Sequence, residues 1–160
     1  MPRIYLSPSA QESDSWLIGG NEEYYMNLIA DAMIPFLRAS GIDFIRNDPG
    51  NSLSQILSQS NAGNYDLHLA LYSNSSPENM RGLFQGPDIY YFAISKEGNR
   101  AAKMIAEKIR SIYPAPDFVQ VIPTTILVEL RRTKAPAILA KIAYRDNYAD
   151  AAWVRDNIDS

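Results

Sequence analysis

The chain has 160 residues, 46% of them apolar and 21% charged, with no cysteine and a formal net charge of −3. That balance suits a single soluble domain with one sizeable core. It excludes disulfides and thiolate metal sites, and the lack of a basic block argues against nucleic acid as the main partner. No run reaches the roughly 18–20 apolar residues of a membrane span, and "MPRIYLSPSAQ" has no apolar core of a secretory signal.

In chain order, "RIYLSPS" reads as a first strand running into a polar, glycine-closed loop, "AQESDSWLIGGN". "NEEYYMNLIADAMIPFLRASG" is a long helix: Asn21 suits the N-cap, two glutamates the first turn and Gly41 the C′ position. Its apolar stripe is Met26, Ile29, Ala30, Met33 and Leu37, and Pro35 inside it predicts a kink or a break. "IDFIRN" is a second strand, "SLSQILSQSNAG" a weaker helix closed by Gly63, and "DLHLALYSN" a third strand, apolar on both faces as a central strand should be. After the loop "SSPENMRGLFQGP" come the strand "DIYYFAI", an amphipathic helix in "KEGNRAAKMIAEKIRSIYP" and a short strand at "FVQVI". "TTILVELRRTKAP" fits either a single helical turn or an edge strand; "AILAKIAY" is the last strand and "NYADAAWVRDNID" a final helix. The alternation predicts an α/β domain: a twisted, mainly parallel but mixed sheet of about six strands flanked by helices.

Ligands of open α/β sheets bind outside the carboxyl ends of the strands. Those ends, with the start of the long helix, collect Ser9, Gln11, Glu23, Tyr72, Asn74, Lys141, Arg145 and Asp146. The only histidine, His68, lies four residues before Tyr72, roughly 13 Å along a strand, so the two cannot share one metal and His68 reads as a buried, hydrogen-bonded residue. Ser7 and Ser9 read as loop residues, "GGN" as a weak phosphate cradle and "RRTK" as a solvated face. Lys141 stands out as an ammonium in an apolar strand.

Read in order, these segments resemble the zinc-dependent N-acetylmuramoyl-L-alanine amidases of type 3, which cut the amide between muramic acid and the stem peptide of peptidoglycan. "IYLSPSAQ" sits where the family has a strand ending in Asp-Pro-Gly-His-Gly, and "DLHLALYSNSS" is similar to the segment ending in His-Ala-Asn-Ala. "LRRTKAPAILAKIAYRDNYADAAWV" resembles the closing stretch, whose last strand ends in a catalytic glutamate.

The resemblance implies zinc ligands at Ala10, Glu23 and Tyr72, a general base at Lys141 and, in some relatives, a histidine at Arg145. Only Glu23 keeps a ligand's chemistry, and a cation stands at the base. Three donors and a proton acceptor are what a catalytic zinc needs. The expectation is therefore a peptidoglycan amidase-like domain without zinc and without hydrolysis, keeping a groove for cell-wall fragments around Gln11, Glu23, Tyr72, Asn74, Lys141 and Arg145. Lys141 is expected to pair with Glu23 in place of the metal.

Two alternatives stay open. One is an active amidase, bacterial or phage, whose zinc uses donors such as Gln11 and Asp146. The other is a non-enzymatic interaction protein reusing the fold. The resemblance spans 1–160 as one domain and implies a further helical segment in relatives, so an exposed apolar patch or a dimer is expected if that segment covers core. With no signal, the expected location is the cytoplasm as synthesised, with action on the wall only after release or another export route.

Overall fold

The sheet forms because two central segments are apolar on both faces. In a computed structural model describing residues 1–160, β1 (Arg3–Pro8) lies between β2 (Asp43–Arg46) and β3 (Leu67–Asn74), all parallel. The last strand, β6 (Ala137–Tyr144), runs parallel to β3 on its other side. Then β4 (Asp88–Phe92) pairs antiparallel to β6 and carries β5 (Gln120–Thr124) parallel to itself. The order is β2-β1-β3-β6-β4-β5, the mixed six-stranded sheet anticipated from sequence.

On one face α1 (Glu22–Ala39), α3 (Lys96–Arg110) and α5 (Tyr148–Asp156) bury Leu6, Leu69, Leu71, Ile138 and Ala140 in the larger core. The other face carries α2 (Leu53–Ala62) and a single turn, α4 (Val128–Arg131), with a smaller cluster of Ala70, Leu130, Ala137 and Leu139. The ambiguous "TTILVELRRTKAP" is thus a helical turn and not an edge strand. No helix is long and apolar enough to cross a membrane.

Caps fix the ends of α1. The side chain of Asn21 accepts from the Tyr24 amide at 2.8 Å. At the other end Gly41, with φ +68°, lets its own amide reach Arg38 and the Ile42 amide reach Leu37, a Schellman stop. Pro35 does not break the helix, which runs through it to Ala39. The loop after β1, which looked merely polar, is pinned by Trp16, buried and stacked on Tyr25 at 4.2 Å between centroids.

One irregularity decides the site. Tyr72 pairs with Lys141, yet Asn74 pairs with Tyr144, so two residues on β3 stand against three on β6. Such a bulge reverses which face the following residues occupy. Lys141 keeps Tyr72's face, while Arg145, four residues on, emerges on the opposite one.

Candidate functional site: two buried carboxylates at the strand ends

Under α1, Glu22 turns inward at the carboxyl ends of β1 and β3. Its side chain is 2% exposed. One oxygen accepts from the Ser9 hydroxyl in a short contact. The other accepts from the Ser73 amide at 2.8 Å and the Ser73 hydroxyl at 2.5 Å. Arg145 brings Nη1 to 3.9 Å from Glu22 and Nη2 to 3.6 Å from Asp14. The Arg145 backbone is held from both sides, donating to Asn74 at 2.9 Å and accepting from Leu17 at 3.0 Å.

Glu23, the expected corner residue, does not reach this point. It lies beside Glu12, and its carboxyl is pushed above the ordinary range by burial, by a hydrogen bond to Glu12 and by that neighbour's charge. The sequence stripe carried the right phase: stepping back four residues at a time from Ala30 through Met26 arrives at Glu22. Ser7 and Ser9, read as loop residues, are both buried; Ser7 lies within β1 and Ser9 just beyond it.

On the opposite face a second carboxylate, Glu129 of α4, is buried. It accepts from the Ser7 hydroxyl at 2.8 Å, from the Tyr72 hydroxyl at 2.7 Å and contacts His68 Nε2 at 2.9 Å. His68 is fully buried, with Nδ1 2.9 Å from the Ser60 hydroxyl and its ring stacked on Tyr5, as a satisfied core histidine should be. The Tyr72 phenol is pushed far above its usual range by burial, then by the charge and hydrogen bond of Glu129 and the charge of Glu22. Glu129 was missed from sequence. Its signal was three polar side chains, Ser7, His68 and Tyr72, on one face of two central strands, which require an acceptor above them.

Beyond Tyr72 on that face lie Asn74, Asp88, Tyr90, Lys141 and Tyr144. Asp88 accepts from Asn74 at 3.0 Å and from Tyr144 at 3.4 Å. Burial raises its carboxyl, against the lowering effects of Tyr144, Lys141 and Asn74. Lys141 faces Asp88 across the strand pair and places Nζ 5.4 Å from the Tyr90 ring centroid. No carboxylate lies within 4.0 Å of its ammonium. The expected Lys141–Glu23 pair is therefore not formed: the bulge leaves Lys141 on the face away from α1, and Glu23 points elsewhere.

The donors weighed for an alternative metal site do not converge either. Gln11 is exposed and contributes its backbone, accepting from the Glu23 amide at 3.3 Å. Asp146 faces the 75–87 loop, accepting from the Ser76 amide at 3.2 Å and the Gly82 amide at 2.9 Å. Burial works against these donors, but they outweigh it and hold its carboxyl below the ordinary range. Ala10 has no donor atom in its side chain, Tyr72 is committed to Glu129, and Glu22 accepts from two serines beside a guanidinium. No three His, Asp or Glu side chains meet at one point. A zinc ion needs three such donors and an open position, so these residues do not fit one.

The chain matches the family described as N-acetylmuramoyl-L-alanine amidase over residues 4–160. Among solved structures it is similar to the N-acetylmuramoyl-L-alanine amidase AmiC2 of Nostoc punctiforme, at 16% identity and a TM-score of 0.85, covering 99% of this chain and 89% of that one. It is similar to Cwp6 from Clostridium difficile at 25% identity and a TM-score of 0.83, covering 99% of this chain and 28% of that one. The catalytic domain of the CD27L endolysin, targeting the same species, aligns at 19% identity and a TM-score of 0.79, over 99% of this chain and 91% of that one. No curated protein sequence matches the chain.

Proposed function

The chain belongs to the N-acetylmuramoyl-L-alanine amidase family, and on that premise we propose that this peptidoglycan amidase-like domain holds muramyl-peptide fragments without hydrolysing them. The observation that carries the reading is the state of Glu22. This buried carboxylate at the strand ends accepts from Ser9 and Ser73 and faces an arginine, so a metal ion brought to it would meet a resident positive charge. Lys141 is a donor with no lone pair and replaces the family's proton acceptor.

The same edge keeps groups suited to a glycopeptide. The Lys141 ammonium makes no hydrogen bond within the protein and offers three donors to stem-peptide carboxylates. The rings of Tyr90 and Tyr144 give sugar and lactyl groups an apolar surface, and Phe84 packs edge-on against Tyr144 at 6.0 Å. The test is sedimentation of the purified chain with insoluble peptidoglycan, alongside stem-peptide release from sacculi with and without added zinc. Co-sedimentation weakened by Lys141→Met, with no release in either condition, is the expected result. Zinc-dependent release would sink the reading, and so would failure to sediment.

A second reading, an interaction protein reusing the fold, is favoured by one observation. An apolar groove of about 200 Å³ runs between α1, α3 and α5, lined by Met33, Phe36, Ile109, Ile112 and Trp153. Phe36 is 67% exposed there. Retention of a protein partner by the chain, with no sedimentation on cell wall, would select this reading.

A further inference from the structure

We infer that Arg145 is the resident cation of the strand-end site: it supplies between Glu22 and Asp14 the positive charge a bound metal would have to supply, and so closes the site to zinc. A carboxylate as deeply buried as Glu22 needs hydrogen-bond donors and a countercharge. Ser9 and Ser73 provide neutral donors. The only cation within 4.0 Å is Arg145.

Three features separate this role from an incidental surface contact. The Arg145 side chain is 21% exposed, so solvent does little to replace it. Its backbone is fixed by Asn74 on one side and Leu17 on the other, and the β6 bulge turns it toward α1. It makes no side-chain hydrogen bond, and its two ion contacts at 3.6 and 3.9 Å are longer than hydrogen bonds. Arg145 acts as a fixed charge between two carboxylates.

Lys141 cannot substitute, because it sits on the other face beside Asp88 and Tyr90. An anionic ligand is not what this corner holds. Asp14 and Glu22 already face the one guanidinium, so an incoming anion meets net negative charge. Arg145 is a positioning residue here, holding Glu22 and with it the junction of α1, β1 and β3. This inference needs no bound glycan, so it stands or falls apart from the proposed cell-wall binding.

Thermal unfolding of the full chain, in chelator and in excess zinc chloride, tests it. The wild type should give one midpoint in both conditions and carry no stoichiometric zinc. Arg145→Gln should lower the midpoint by roughly 5–10 °C, since it strands a buried carboxylate. Adding Glu22→Gln to that variant should recover part of the loss, a reversal that mere loss of packing would not produce.

Arg145→His supplies an imidazole beside Glu22 and Asp14. It should gain a zinc-dependent rise in midpoint that Glu22→Gln abolishes. Where Arg145→Gln does not fold, Arg145→Lys should fold, keep most of the midpoint and ignore zinc. A wild-type chain that binds one zinc through Glu22 overturns the inference. So does an Arg145→Gln midpoint equal to wild type, a double variant no better than the single, or an Arg145→Lys that fails as Arg145→Gln does.

Discussion

Glu129→Ala should be among the most damaging single substitutions in this chain, although Glu129 touches no proposed ligand. The change removes an acceptor shared by Ser7, His68 and Tyr72. Tyr72 is only half-buried and can turn its hydroxyl toward water, so its loss is partly recoverable. Ser7 and His68, at 1% and 0% exposure, cannot. Orphaning two buried polar groups and breaking a buried pair costs roughly 3–5 kcal/mol. For a domain of this length each kcal/mol moves the midpoint by about 2–4 °C, so the expected drop is roughly 6–20 °C. Glu129→Gln keeps one acceptor oxygen and should cost roughly half as much. Urea and thermal unfolding measure both variants, and a Glu129→Ala, His68→Ala cycle measures their coupling. The reasoning fails if Glu129→Ala lies within about 1 kcal/mol of wild type, the range of an ordinary surface change, or if the two substitutions add without coupling.

Asp150→Asn replaces an acceptor that serves the Gly86 amide at 2.8 Å, the Tyr144 amide at 2.9 Å and the Tyr113 hydroxyl. An amide nitrogen in place of one oxygen faces donors, so a loss of about 1.5–3 kcal/mol in urea unfolding is expected. The Tyr5 phenol is pushed up to about 12 by burial first, then by the charges of Tyr65 and Glu129. Its folded value lies above the unfolded value near 10, so the stability it contributes is complete below about pH 10 and is lost as pH rises toward 12. Tyr5→Phe should flatten that alkaline limb, as read by unfolding against pH. Asp146 has the opposite sign. Its folded value is lowered, so its contribution is present above the unfolded value of about 3.9 and disappears as pH falls through the folded one. The advantage of wild type over Asp146→Asn at neutral pH should vanish in acid.

The strands, the long helices and their caps were legible because periodicity and N-cap chemistry act locally. Asn21 accepts from a backbone amide at the start of α1, as its residue type suggests, and Ser52 and Ser95, not singled out from the sequence, do the same for α2 and α3. What stayed hidden depends on contacts between distant segments. Nothing in "VELRR" marks Glu129 as buried until Ser7 and His68 are placed beneath it. The bulge is equally silent: Lys141 and Arg145, four apart, share a face in a regular strand, and only the pairing with β3 shows that they do not. The family resemblance implies Glu23, while the helix's own phase favours Glu22.

The two carboxylates explain how both helical layers can be held to the central strands without an ion. A zinc at the strand ends would tie a helix to the two central strands through its ligands. Here Glu22 ties α1 to β1 and β3 through Ser9 and Ser73. From the other side Glu129 ties α4 to the same strands through Ser7, His68 and Tyr72. Both helical layers are thus clipped to β1 and β3 by hydrogen bonds that need no ion. Tyr72 is a donor in the second clip, and Arg145 supplies the charge for the first. A zinc ion entering this corner would first have to displace Arg145 from Glu22, which is why the arginine, and not the serines, decides whether the carboxylate is open to a metal.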